Sequence, residues 1–145
     1  RISGRRDDTA MKGKRMFKRI AIASALTMVL VSGSALAAHH LSAVAKKASS
    51  ASGEILTDAK GMSLYTFDKD TTGVSNCKGK CAVNWPPLAA AADAKGEGDF
   101  SVIKRDDGSK QWTYKGKPLY TWIKDKKPGD ITGEGVRGVW HLARP

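Results

Sequence analysis

A stretch of this chain returns 55 residues further on. Lys60-Gly61 recurs as Lys115-Gly116, Leu64-Tyr65-Thr66 as Leu119-Tyr120-Thr121, and Lys69-Asp70 as Lys124-Asp125, while Phe67 is answered by Trp122 and Trp85 by Trp140. A fixed-offset repeat restricts the fold more than any single propensity does, because one local pattern must suit both copies. Each copy reads as a β-hairpin. In the second, the β-prone runs Gln111–Tyr114 and Pro118–Ile123 flank Lys115-Gly116, a two-residue turn whose glycine permits positive φ. In the first, Glu54–Asp58 and Met62–Phe67 flank Lys60-Gly61 in the same way. Alternation places Tyr65 and Phe67 on one face and Leu64 and Thr66 on the other. Phe100–Ile103 with the Asp106-Asp107-Gly108 turn adds a strand, and Gly138–Leu142 reads as a closing strand. Helical periodicity is absent except for a short turn after Cys81, ended by Pro86-Pro87. The expected fold is mainly β: a small single domain of two pseudo-repeated hairpin units.

The N-terminal part reads differently. From Met11 (or Met16, the other candidate start) a basic segment leads into the apolar run 20–31, then Ala35-Leu36-Ala37, with small residues at the −3 and −1 positions of a signal-peptidase site. Twelve apolar residues fall short of the roughly 20 that a membrane-spanning helix needs, so no span is expected after signal cleavage. The organisation expected is an upstream or non-native extension (1–10), a signal peptide (11–37), a flexible leader rich in Ala and Ser (38–53) and the repeat domain (54–145). The chain's net charge of +11 owes much to residues 1–37; the remainder carries 17 basic and 12 acidic residues with no basic stripe. That excludes nucleic acid as the expected partner and leaves an unknown envelope or extracellular ligand, with the protein periplasmic or secreted.

Tyr65-Thr66-Phe67-Asp68-Lys69-Asp70 and Tyr120-Thr121-Trp122-Ile123-Lys124-Asp125 resemble the motif of a bacterial family of predicted lipoproteins, Y-x-[FWY]-x-x-D, also called the secreted repeat of unknown function. The stretch from Cys77 to Pro87 is similar to that family's C-x-G-x-C-A-x-x-W-P-P segment, and Gly138-Val139-Trp140-His141 to its closing segment. The resemblance spans about residues 54–145. It implies export and two copies of the repeat. It supplies no catalytic residue, and with no cysteine beside the cleavage site this member is expected to be non-lipidated.

Matching positions in two copies point first to folding. Tyr65, Phe67, Trp85, Tyr120, Trp122 and Trp140 are large rings suited to a small core, with an aromatic ligand groove as the rival reading. Asp70 and Asp125 stand where a strand enters a loop and can accept backbone N–H groups. Cys77 and Cys81, the only cysteines, read as a disulfide pinning their loop, with redox and metal roles as alternatives.

A metal is the sharper alternative. Cleavage after Ala37 would leave Ala38-His39-His40 at the terminus, where an amine, two amide nitrogens and His40 suit Cu(II) or Ni(II); cleavage one residue later would put His39 first. Asp68 to Gly79 lacks the Glu that a calcium loop needs at position twelve. His141 and Met62, unshared between the copies, could be added function, or a core imidazole and thioether. No hydrolase elbow, zinc-protease helix, phosphate loop or dinucleotide fingerprint is present, so no catalytic residue is expected. The expected function is a non-enzymatic binding or structural β-domain; the alternative is copper or nickel handling through His39 and His40.

Overall fold

The computed structural model describes residues 44–145. Seven strands and one short helix follow in order: β1 (Lys46–Ser50), β2 (Gly53–Thr57), β3 (Tyr65–Phe67), α1 (Lys80–Asn84), β4 (Phe100–Lys104), β5 (Lys110–Tyr114), β6 (Lys117–Pro118) and β7 (Trp140–Leu142). They form three antiparallel sheets, β1-β2, β4-β5-β6 and β3-β7. The mainly β, two-unit fold expected from the repeat is the fold observed.

The third sheet shows how the units are joined. β3 belongs to the first repeat and β7 to the second, paired as Tyr65 with Leu142 and Phe67 with Trp140. The reciprocal crossing also exists. Tyr120 bridges Pro87, and the N–H groups of Thr121 and Ile123 donate to Pro86 and Asn84. That ladder stays incomplete because prolines 86 and 87 have no N–H to give. Ala143 is held between Leu56 and Leu64, and Leu88 between Trp112 and Leu119. Each repeat's closing segment therefore completes the other repeat's hairpin. At the centre, Tyr65 and Tyr120 exchange both backbone hydrogen bonds, at 2.8 and 3.0 Å, on a pseudo-twofold axis.

Alternation along β3 divides the interior as expected. Leu64 joins Ala45, Leu56, Phe100, Tyr114, Leu119 and Ala143 in one cluster. Tyr65 joins Ile55, Cys77, Trp85, Tyr120, Trp140 and Leu142 in the other.

Two expectations differ from the structure. The composition of residues 38–53 predicts a flexible leader, yet Lys46–Ser50 form β1 and pair fully with β2. Small side chains do not argue against order where they are what fits: Ala45 is fully buried, Ala48 packs on the ring cluster, and backbone pairing needs no large side chain. The two Lys-Gly turns also differ. In the second repeat Tyr114 pairs with Lys117, and Lys115 and Gly116 both have positive φ (48° and 77°), as a type I′ turn requires. In the first, Asp58 N–H donates to Met62, leaving the three-residue loop Ala59-Lys60-Gly61; the Asp58 side chain accepts from the Lys60 and Met62 N–H groups. Only the last residue of that loop, Gly61, has positive φ.

Candidate functional site

The spacing inside Tyr-x-aromatic-x-x-Asp has a geometric cause. Two residues apart on a strand, the Tyr and the second ring share a face. Three residues on, the chain turns, with Asp70 N–H donating to Phe67 O at 3.0 Å and Asp125 N–H to Trp122 O at 3.1 Å. The Asp does not serve its own Tyr. Tyr65 Oη donates to Asp125 Oδ2 and Tyr120 Oη donates to Asp70 Oδ2, both at 2.7 Å. Each motif is thus completed by the other repeat.

Both carboxylates also close their own loops. Asp125 Oδ1 accepts from Thr132 N and Oγ1, and Asp70 Oδ1 accepts from Asn76 N. Burial pushes the Asp70 carboxyl up, against hydrogen bonds from Asn76 and Tyr120 that pull it down. Burial pushes both phenols far above the usual tyrosine value, and the adjoining carboxylates add to the shift. Tyr65 and Tyr120 are fully buried. Gly133 sits against Tyr65 and Trp85 of necessity, because a Cβ there would meet both rings at 2.8 Å.

The remaining rings form a stack. Phe67 lies on Trp140 (centroids 4.4 Å apart), Trp140 on Trp85 (3.8 Å) and Trp85 on Trp122 (3.9 Å), with interplanar angles of 15°, 5° and 23°. The order is palindromic, since Phe67 corresponds to Trp122 and Trp85 to Trp140. Tyr65 meets Trp85 edge-on at 5.3 Å, and Tyr120 meets Trp140 edge-on at 5.2 Å. Offset and edge-on contacts of this kind add about 0.5–1.5 kcal/mol each beyond the area they bury.

Beside the stack opens a groove of about 550 Å³, lined by all four stacked rings together with Cys81, Val136, Asn84, Val139 and the basic residues Lys69, Lys80 and Arg137. At the 55-residue offset eight of these eleven lining residues fall into pairs: Phe67 with Trp122, Trp85 with Trp140, Cys81 with Val136, Asn84 with Val139. The apolar wall is therefore shared by both repeats. The basic residues depart from that symmetry, since Lys69, Lys80 and Arg137 have no counterpart among the lining residues. Trp122 Nε1, among the lining residues, is a buried donor with no hydrogen-bond partner among the described residues.

Cys77 and Cys81 form a disulfide that fastens α1 to the loop after Asp70. His141 and Met62 play separate parts. His141 Nε2 lies 2.8 Å from Asp68 Oδ2, with Glu134 Oε1 3.7 Å from its other nitrogen. Met62 stands in the first repeat's turn. Residues 1–43 lie outside the described residues, and with them His39, His40 and the signal-peptide and extension boundaries. Among the described residues no three His, Cys, Asp or Glu side chains gather as a metal site, and no helix is long and apolar enough to cross a membrane. Sequence reasoning found the rings but missed Lys69, Lys80, Asn84, Arg137 and Val139. Asn84 and Val139 carried one signal, the same 55-residue offset, readable once the closing segments are known to cross; Lys69, Lys80 and Arg137 carried none, since their counterparts do not line the groove.

A family model described as a secreted repeat of unknown function matches this chain twice, at residues 46–89 and 101–144. No curated protein and no solved structure matches it.

Proposed function

Since the chain belongs to the family of secreted repeats of unknown function, we propose that its paired repeats form a non-catalytic binding module working in the periplasm or outside the cell, with its ligand seated in the groove beside the ring stack. One observation carries this reading: both repeats line that groove in matched pairs. Tyr65, Tyr120, Asp70 and Asp125 are occupied with one another and serve the fold. Phe67 and Trp122, the half-buried ends of the stack, are the motif rings left to meet a ligand. A concave site of several hundred Å³ that joins aromatic rings to a few polar side chains has the usual make-up of a small-molecule seat.

The test is native purification from the cell envelope, with mass spectrometry of whatever small molecule accompanies the protein. Asn84 is exposed on α1 at the groove wall, so Asn84→Trp should fill the groove and leave the fold intact. A species retained by the parent and lost from that variant is the expected result. Identical contents in both proteins would sink the reading.

A second reading, copper or nickel handling, rests on Ala38-His39-His40 as a mature terminus. Copper titration of the processed protein should show a site abolished by His40→Ala; an undiminished site, or none, rejects it.

A further inference from the structure

From the chemistry of its walls, we propose that the groove takes a small acidic ligand with a flat apolar body, one bearing sulfonate, phosphate or carboxylate groups on a ring system. This rests on the groove being the ligand seat and says what that seat selects.

The faces of the inner rings are already used. At separations of 3.8–4.4 Å Trp140 is covered on both faces by Phe67 and Trp85, and Trp85 by Trp140 and Trp122, so these two have only their edges to offer the groove, while Phe67 and Trp122 each have one face covered. A ring edge is the positive end of the aromatic quadrupole, and it favours either an anion or the negative face of another ring. Lys69, Lys80 and Arg137 add three full charges to the same wall, and no Asp or Glu lines it. None of the three has an ion-pair partner among the described residues. The motif carboxylates stand outside this lining, Asp70 accepting from Tyr120 and Asn76, and Asp125 from Tyr65 and Thr132.

Trp122 Nε1 is an independent indication. A buried N–H without an acceptor is costly, about 1–3 kcal/mol, and an oxygen brought by a ligand beside this ring would relieve that cost. A second hollow of about 380 Å³, against β3 and β7, gives a contrast. There Asp68 and Glu134 stand among Lys115, Lys117 and Arg144, and the mixed charge selects no sign.

The experiment uses the full chain and three probes sharing one body: naphthalene-1,5-disulfonate, 1,5-dihydroxynaphthalene and 1-naphthylmethylammonium. The indole N–H resonances of the four tryptophans report position. Trp85, Trp122 and Trp140 line the groove, while Trp112 packs on the other cluster and serves as internal control. The disulfonate should move the Trp122 signal most and leave Trp112 still. It should bind at least tenfold more tightly than the diol and more tightly still than the cation, and weaken as salt is raised. Lys80→Gln with Arg137→Gln, both exposed positions, should cost at least tenfold in disulfonate affinity with the thermal melt unchanged. Equal affinity for disulfonate and diol overturns the acid preference while the groove reading stands. Tight disulfonate binding undiminished in the double variant also overturns the proposal, because the anion then sits elsewhere. Silence of all three groove indoles with every probe overturns the proposal and the groove reading together.

Discussion

In both repeats the motif Asp ties the loop that follows it, Asp70 accepting from Asn76 and Asp125 from Thr132, but only the first adds a covalent bond there, Cys77 to Cys81. Between the repeats the contacts are the same in both directions: Tyr to Asp, ring on ring, closing segment across hairpin. The contacts that hold the copies to each other are shared, and the disulfide, which one copy has alone, holds that copy to itself. Selection on a pseudo-twofold body keeps the residues at the axis alike, since each must fit its counterpart, and leaves the periphery free to solve loop closure in more than one way.

The strongest challenge to that equivalence is the middle of the stack. Trp85→Ala and Trp140→Ala should each cost about 3–5 kcal/mol, as large buried rings do, and by nearly the same amount in urea denaturation. A gap well beyond 2 kcal/mol between them would break the symmetry argument.

The two carboxylates sharpen it next. Asp125 is 6% exposed and accepts three hydrogen bonds, while Asp70 is half-buried and accepts two. Asp125→Ala should therefore cost more, about 3 kcal/mol against about 2 for Asp70→Ala, on the scale of bonds to charged groups. Equal costs would mean the buried count is not what matters. The disulfide follows: Cys77→Ser with Cys81→Ser should cost about 2 kcal/mol in the chain-entropy account. Its effect should fall on α1 and Trp85, seen by hydrogen exchange, with the second repeat's loop untouched.

Alkaline pH should act on both repeats together. Folding raises both phenols, so the folded state keeps two protons that the unfolded state begins to release near pH 10. Stability is then fully present below that pH and falls as pH rises beyond it. Phenolate absorbance from Tyr65 and Tyr120 should appear only with unfolding, and should be missing from Tyr65→Phe with Tyr120→Phe; ionisation preceding the loss of circular dichroism would contradict the burial argument. The smallest effect concerns the unequal turns. Lys115→Gly relieves a positive φ and should stabilise by a few tenths of a kcal/mol, whereas Lys60→Gly, in the three-residue loop, should not.

Much of this was legible in the chain. The 55-residue offset announced two units, alternation told the face of Tyr65 from that of Leu64, and two close cysteines announced a disulfide. Those features are local: a repeat, a strand period and a short loop leave marks within a few residues. The order of Lys46–Ser50 was not legible, because Ala and Ser lack the bulk by which composition signals burial, and their order comes from pairing with β2.

What only the tertiary structure decided is who partners whom. Nothing in Tyr65-Thr66-Phe67-Asp68-Lys69-Asp70 says that Tyr65 reaches an aspartate 60 residues away rather than its own, nor that Lys80 and Arg137 border one groove. A repeat determines the shape of each half, but crossing and self-closure place the same residues at the same local spacings. The choice between them is made by long-range packing, where two half-cores that cannot bury their rings alone cover them by exchanging closing segments.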